Sequence, residues 1–242
     1  MAKRFNSASR VYNVLMKLDA NKYQRIQPLD FWAEILDVAQ ENTSRKAVEV
    51  TNKLNILHDE LALVRTGMEH TDFSEHLYCD ALKNLEQVIS VLYLQTNWQS
   101  VAQFLKPEAL LSLNFCSEIL PDEAQQLSDY DVDELQRLLE ELKSELDVRN
   151  FPDSLDRLIR KHISIIEKAI HDYKIQGYRA VEQAVSSIVG DITIEENILR
   201  NAINNPSLIS KLGGVYTKFI GPALSKVNPA LETLNNIISL SK

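Results

Sequence analysis

Asp72, Glu75, His76, Cys79 and Asp80 stand within nine residues of one another, with His70 just upstream. Residues four apart share one face of a helix, so on a continuous helix Asp72, His76 and Asp80 stack at one-turn intervals. Carboxylate, imidazole and thiolate are the ordinary ligands of zinc, and the same groups move protons in catalysis. The competing reading is a polar helix start whose cysteine packs as a small apolar side chain. The residues alone do not decide whether Asp72, Glu75, His76 and Cys79 form a site. Another histidine, His162, falls in an apolar seam between Ile159 and Ile166. It is either a core histidine bonded to a neighbouring helix or a polar seam residue that tunes partner choice or pH response. His58, beside Asp59 and Glu60, reads as part of a solvated face.

Beyond that cluster, catalysis finds little footing. The chain has no G-x-x-x-x-G-K-[ST] phosphate cradle, no G-x-G-x-x-G and no G-x-S-x-G nucleophile elbow. It also lacks H-E-x-x-H and the Glu-x-x-His pair of di-iron bundles. The two cysteines, Cys79 and Cys116, are too few for a Cys₄ or Cys₃His zinc site. The leading expectation is therefore a non-enzymatic helical interaction protein: an adaptor, regulatory or accessory subunit that needs no cofactor and binds a protein partner or itself. A membrane-active effector is the alternative. An enzyme with dispersed residues such as Asp72, Glu75 and His76 is the third reading, because groups on different helices leave no linear motif.

The elements that must position these groups are helices. Six glycines in 242 residues starve the chain of tight hairpin turns. Thr43 or Ser44 starts a helix with Ala47, Val50, Leu54, Leu57, Leu61, Val64 and Met68 at alternating spacings of three and four. After a turn near Gly67–Asp72, the pattern resumes at Tyr78, Ala81, Leu85, Val88 and Leu92. Two such seams predict an antiparallel, coiled-coil-like hairpin over about 43–95. Pro28, Pro107 and the Pro152–Asp153 pair sit where helices begin, and Gly177 separates two more amphipathic stretches. The expected fold is an all-α multi-helix bundle with that hairpin and a second helical half. Its divisions are 1–120, 121–205 and 206–242.

Charge is distributed unevenly around a net of −8. Pro121–Asp156 holds 12 acidic and three basic residues, whereas Pro206–Lys242 holds four lysines and one glutamate. The acidic run is either a docking surface for a basic partner or a solvated helix face. An acidic domain has no reason to bind nucleic acid, which needs clustered lysine and arginine. Lys3, Arg4 and Arg10 read as a solvated tail. No signal peptide, no run of 18 apolar residues and no closely spaced cysteine pairs predict a cytoplasmic chain with reduced thiols.

From Leu208 to Leu240 the chain reads LISKLGGVYTKFIGPALSKVNPALETLNNIISL. Gly213, Thr217, Gly221 and Ser225 recur every fourth residue, a small-residue stripe if the helix is continuous, though Pro222 and Pro229 interrupt it. Lys211, Lys218 and Lys226 suit lipid headgroups while Leu212, Val215, Phe219, Leu224 and Val227 dip inward. Core closure, a partner-binding tail and membrane contact all fit this segment. Lys211, Val215, Lys218, Phe219 and Lys226 are its candidate contact residues.

Phe151–Ile192 carries a proline-aspartate helix start, an R-x-H-I-x-x-I-x-x-A-I stretch and a D-Y-x-I-x-G connector into another amphipathic helix. It resembles small all-helical bacterial proteins of unassigned function, some from mobile-element or phage-defence settings. The resemblance implies a helical fold and a bacterial origin. It carries over no functional residue.

Overall fold

A computed structural model of the chain describes residues 4–123, 126–200 and 205–220. Among the described residues there are twelve α-helices and no strands, so the fold is all-α. No helix among them is long and apolar enough to cross a membrane. The chain forms two compact units: Met1–Ala124 with Lys174–Gly177, and Gln125–Tyr173 with Tyr178–Lys242.

The first unit holds α1 (Ser7–Leu15), α2 (Ala20–Tyr23), α3 (Pro28–Ile35), α4 (Thr43–Glu69), α5 (Cys79–Val88), α6 (Trp98–Ala102) and α7 (Pro107–Ile119). Short 3₁₀ turns occupy Glu75–Leu77 and Val91–Tyr93. Helix α1 starts on a reciprocal cap, Asn6 accepting from the Ser9 amide and Ser9 from the Asn6 amide. The Asn6 side-chain amide also donates to the carbonyls of Ser117 and Leu120, tying this cap to the end of α7. Proline opens both α3 and α7, where its missing N–H costs nothing. Tyr23, Phe31, Trp32 and Trp98 pack their rings together in the core.

Helix α4 buries Val50, Leu54, Leu57, Leu61, Val64 and Met68 completely, which is the seam its spacing predicts. It is not one half of a two-helix coiled coil, because α1 and α3 pack on it as well as α5. The return arm, α5, spans only ten residues and leans on α7 too. Leu92, the last expected seam residue, is 79% exposed at the centre of the second 3₁₀ turn. The solvated face expected at His58–Glu60 is also wrong at Glu60, which is fully buried because α1 covers that side of α4.

The second unit holds α8 (Asp129–Val148), α9 (Asp153–Gln176), α10 (Tyr178–Ile194), α11 (Glu196–Arg200) and α12 (Pro206–Phe219). The last turn of α9, from Lys174, belongs to the first unit, where Ile175 joins the core. Ser128 caps α8 in a reciprocal pair with Asp131. Leucines at 135, 139, 142 and 146 line the buried face of α8, and α12 lies against this helix. Leu208, Leu212, Val215, Tyr216 and Phe219 turn inward from α12, burying a wide apolar stripe.

Candidate functional site

The cluster at 72–80 does not line up on one helix. Asp72 and Phe73 lie in a bend, Glu75–Leu77 is a 3₁₀ turn, and α5 begins only at Cys79. The one-turn spacing of Asp72, His76 and Asp80 is therefore broken, and those three side chains and Glu75 are exposed. Among the described residues no group of three or more His, Cys, Asp or Glu side chains is placed to hold a metal ion. Cys116 is fully buried, its thiol pushed up to about 11 by desolvation, which keeps it protonated and a poor nucleophile.

The same turn takes part in something else. Phe73 meets Phe115 of α7 edge-on, ring centroids 5.3 Å apart. The Ser112 hydroxyl donates to the Leu77 carbonyl at 2.5 Å, fixing the turn to α7. Phe73, Leu77, Leu111 and Phe115 are 44%, 51%, 70% and 38% exposed. Phe73 and Phe115 are in ring contact, Leu111 lies one turn before Phe115 on α7, and the Leu77 backbone is tied to the same helix, so these exposed apolar residues are gathered around α7. The available signal was a surplus on α7, whose apolar residues (Ala109, Leu110, Leu111, Leu113, Phe115, Cys116) outnumber what one buried stripe can hold.

His162 is a core histidine. It is 1% exposed, and its Nδ1 lies 2.6 Å from the hydroxyl of fully buried Tyr216 on α12. Burial raises the Tyr216 phenol far above its usual range, so it stays protonated and donates to Nδ1. The Nε2 N–H then faces Asp191 Oδ2 on α10, 3.5 Å away. Burial pulls the imidazole down to about 4 against the opposing pull of Asp191, so His162 is neutral at pH 7. No substrate reaches rings so deeply buried, and the bond they make pins α12 to α9.

The candidate contact residues of the C-terminal segment are engaged inside their own unit. Val215 and Phe219 are buried. Lys218 reaches Asp131 at 2.8 Å and Glu134 at 2.6 Å, while Lys211 reaches Glu145 at 2.8 Å. Asp131 is held at about 2, first by Lys218 and then by the Ser128 cap. Lys211, then Ser207, lowers Glu145. Of the small-residue stripe, Gly213 is buried and Thr217 exposed on α12. Lys226, Gly221, Ser225, Leu224 and Val227 lie outside the described residues.

A buried charge network escaped the sequence reading altogether. Arg10, 4% exposed, pairs with Glu60 at 2.5 Å and Glu123 at 2.7 Å, and its Nε donates to the Ile175 carbonyl. Arg4 pairs with Glu118 and Asp122. The expected solvated tail is thus wrong at Arg4 and Arg10, because carboxylates far along the chain return to meet both. Lys3 lies outside the described residues. Comparison with known proteins finds no matching family model, no matching curated protein and no matching solved structure.

Proposed function

We propose that this chain is a helical interaction protein, an adaptor or accessory subunit, and that the face of Phe73, Leu77, Leu111 and Phe115 is where it meets its partner. The observation that carries this reading is the face itself. Four large exposed apolar residues are gathered along α7 and the turn bonded to it, with Phe73 against Phe115, whereas scattered exposed apolar residues would need no explanation. A fixed turn and a stable helix present them, so little ordering entropy is lost on binding. For Lys211, Val215, Lys218 and Phe219 the membrane reading would require α12 to leave α8, exposing Tyr216 and Phe219 and breaking its lysine pairs. The docked state of α12 favours the protein-interaction reading instead. Which pathway it serves follows from the partner's identity.

The test is affinity purification of tagged full-length protein from its native host, with size analysis and mass spectrometry. Two variants accompany it, Leu111→Ser on the face and Val48→Ser on α4. Val48 is exposed and more than five turns before the end of α4, about 30 Å along the helix. A stoichiometric partner kept by wild type and Val48→Ser but lost from Leu111→Ser is the expected result. A partner retained by Leu111→Ser moves the contact elsewhere, and a wholly solitary chain removes the reading.

A further inference from the structure

We infer that the face of Phe73, Leu77, Leu111 and Phe115 docks an amphipathic helix of a partner protein that carries lysine or arginine beside its apolar stripe. This rests on the interaction reading above and adds to it the chemistry of the partner. Three observations carry it: the size of the face, its charge and an internal precedent.

The apolar area left in solvent by the four side chains is on the order of 350 Å², well short of the ~800 Å² per partner in a standard stable interface. An area of that size suits two or three anchors of a single helix, the i, i+3/i+4, i+7 mode of recognition. A second copy of this chain is a poor occupant for the same reason. It would also bring an identical acidic border against the first.

The border is predominantly acidic. Residues 65–83 contain Glu69, Asp72, Glu75 and Asp80 against Arg65 and Lys83, which pair with Glu86 and Asp80. Residues 106–119 contain Glu108 and Glu118 against Lys106. Glu108, Leu111, Phe115 and Glu118 follow one another at spacings of three and four, so the α7 stripe begins and ends in carboxylate. Glu118 in turn meets Arg4. Such a border steers a cationic helix in and repels an anionic one.

The precedent is α8. There buried leucines are flanked by Asp131, Glu134 and Glu145, and α12 covers them with an apolar stripe carrying Lys211 and Lys218. The chain thus contains one worked solution for an acid-bordered apolar helix, and it is a lysine-bearing amphipathic helix. The α7 face has the acidic and apolar half of that arrangement.

The test is fluorescence anisotropy with full-length protein and two labelled peptides of about 16 residues, roughly 24 Å as helices. One repeats leucine and lysine in an amphipathic pattern, and the other has glutamate in place of each lysine. The lysine peptide is expected to bind, more weakly as salt rises, and at least tenfold more weakly to Leu111→Ser. The double variant Asp72→Asn/Glu75→Gln should lose several-fold in affinity and flatten the salt dependence. Circular dichroism verifies that each variant keeps its helices. Equal binding of the glutamate peptide, or undiminished binding to Leu111→Ser, overturns the proposal. A dimer in sedimentation that Leu111→Ser dissolves overturns it in favour of a second copy. If wild type ignores the lysine peptide while a Leu111-dependent partner still co-purifies, the partner class falls and the interaction reading stands.

Discussion

On α8, Leu135, Leu139 and Leu142 are buried, and the carboxylates beside them hold the lysines of α12. On α7, Leu111 and Phe115 stay in solvent along a stripe that runs from Glu108 to Glu118. The two helices use similar materials, and what separates them is whether the chain supplies a basic amphipathic helix to cover them. Acidic density alone is therefore a poor guide to a docking surface. Within the dense run from Pro121 to Asp156, Asp131 and Glu134 face Lys218, and Glu145 faces Lys211 and Arg149. In the same run Glu140 faces Lys143, Glu141 faces Arg137, and Asp147 and Asp156 share Arg160. Much of the run's charge is answered from within. Among the sparser carboxylates around Phe73 and Phe115, Glu118 and Asp80 are answered by Arg4 and Lys83, and Asp72 and Glu75 stand exposed beside the apolar face.

The comparison breaks most sharply by truncating the cover. Phe219→Ala on α12 should cost ~3–5 kcal/mol, the usual result of removing a fully buried aromatic side chain. Leu111→Ser on the uncovered face should stay within ~0.5 kcal/mol, as surface substitutions do. Denaturant unfolding measures both. Similar costs would mean that α7 is also covered in the folded chain.

Next in size is the pH response of the bond under α12. His162 falls from its ordinary value of 6.5 to about 4 in the folded state, so between those values the unfolded chain binds the extra proton. Stability is then fully present above pH 6.5 and declines by about 3 kcal/mol as pH drops to 4, at 1.36 kcal/mol per pKa unit. In His162→Gln, which keeps an acceptor for the Tyr216 hydroxyl but does not titrate, that component should vanish from the difference between unfolding curves. Parallel pH dependences in the two proteins would show that His162 is not buried as described. No such component attaches to the α7 face, where Leu111→Ser should follow wild type at every pH.

A smaller loss is expected from Gly177→Ala in the first unit. Its φ of +64° is strained for alanine, and the added Cβ would lie 2.5 Å from Arg10 Nη1 and from Glu123 Oε2. The backbone strain costs roughly 1–3 kcal/mol, and pushing Arg10 and Glu123 apart adds to it. Thermal unfolding measures the loss. An unchanged midpoint would mean that the network yields without penalty.

Helix type, most starts and the α4 seam were legible because they rest on local pattern: apolar residues at three and four, proline at first turns, few glycines. The helix ends were less legible. Asn6 caps α1, Asn42 caps α4 and Ser128 caps α8, each just ahead of the apolar pattern of its helix. Asp131 takes the third position and returns a bond to the cap. What pattern cannot give is who stands opposite. Glu60 looked solvated until α1 brought Arg10 against it, 50 residues away in sequence. Asp72, His76 and Asp80 looked aligned only on a helix that Pro-free sequence permits and the 3₁₀ turn replaces. His162 was recognisable as a seam histidine, but its Tyr216 partner lies 54 residues on. The α7 face was half visible as an apolar surplus, and the turn that completes it with Phe73 and Leu77 was not.

The finest test concerns the lysine that caps the covered side. Lys218 contacts two carboxylates of α8 at the surface, where ion pairs contribute little to stability but fix register. Lys218→Met should therefore change unfolding less than any substitution above except Leu111→Ser. Its signature is local. The Asp131 carboxyl, held at about 2 chiefly by Lys218, should rise toward the usual carboxylate range and stop short of it, because the Ser128 hydroxyl and amide still donate to it. Carboxyl-carbon NMR titration of wild type and variant resolves that shift. If Asp131 titrates identically in both, Lys218 does not sit on α8. The acidic border of α8 would then be as open as that of α7, and the distinction between a covered and an uncovered face would fail at its most specific contact.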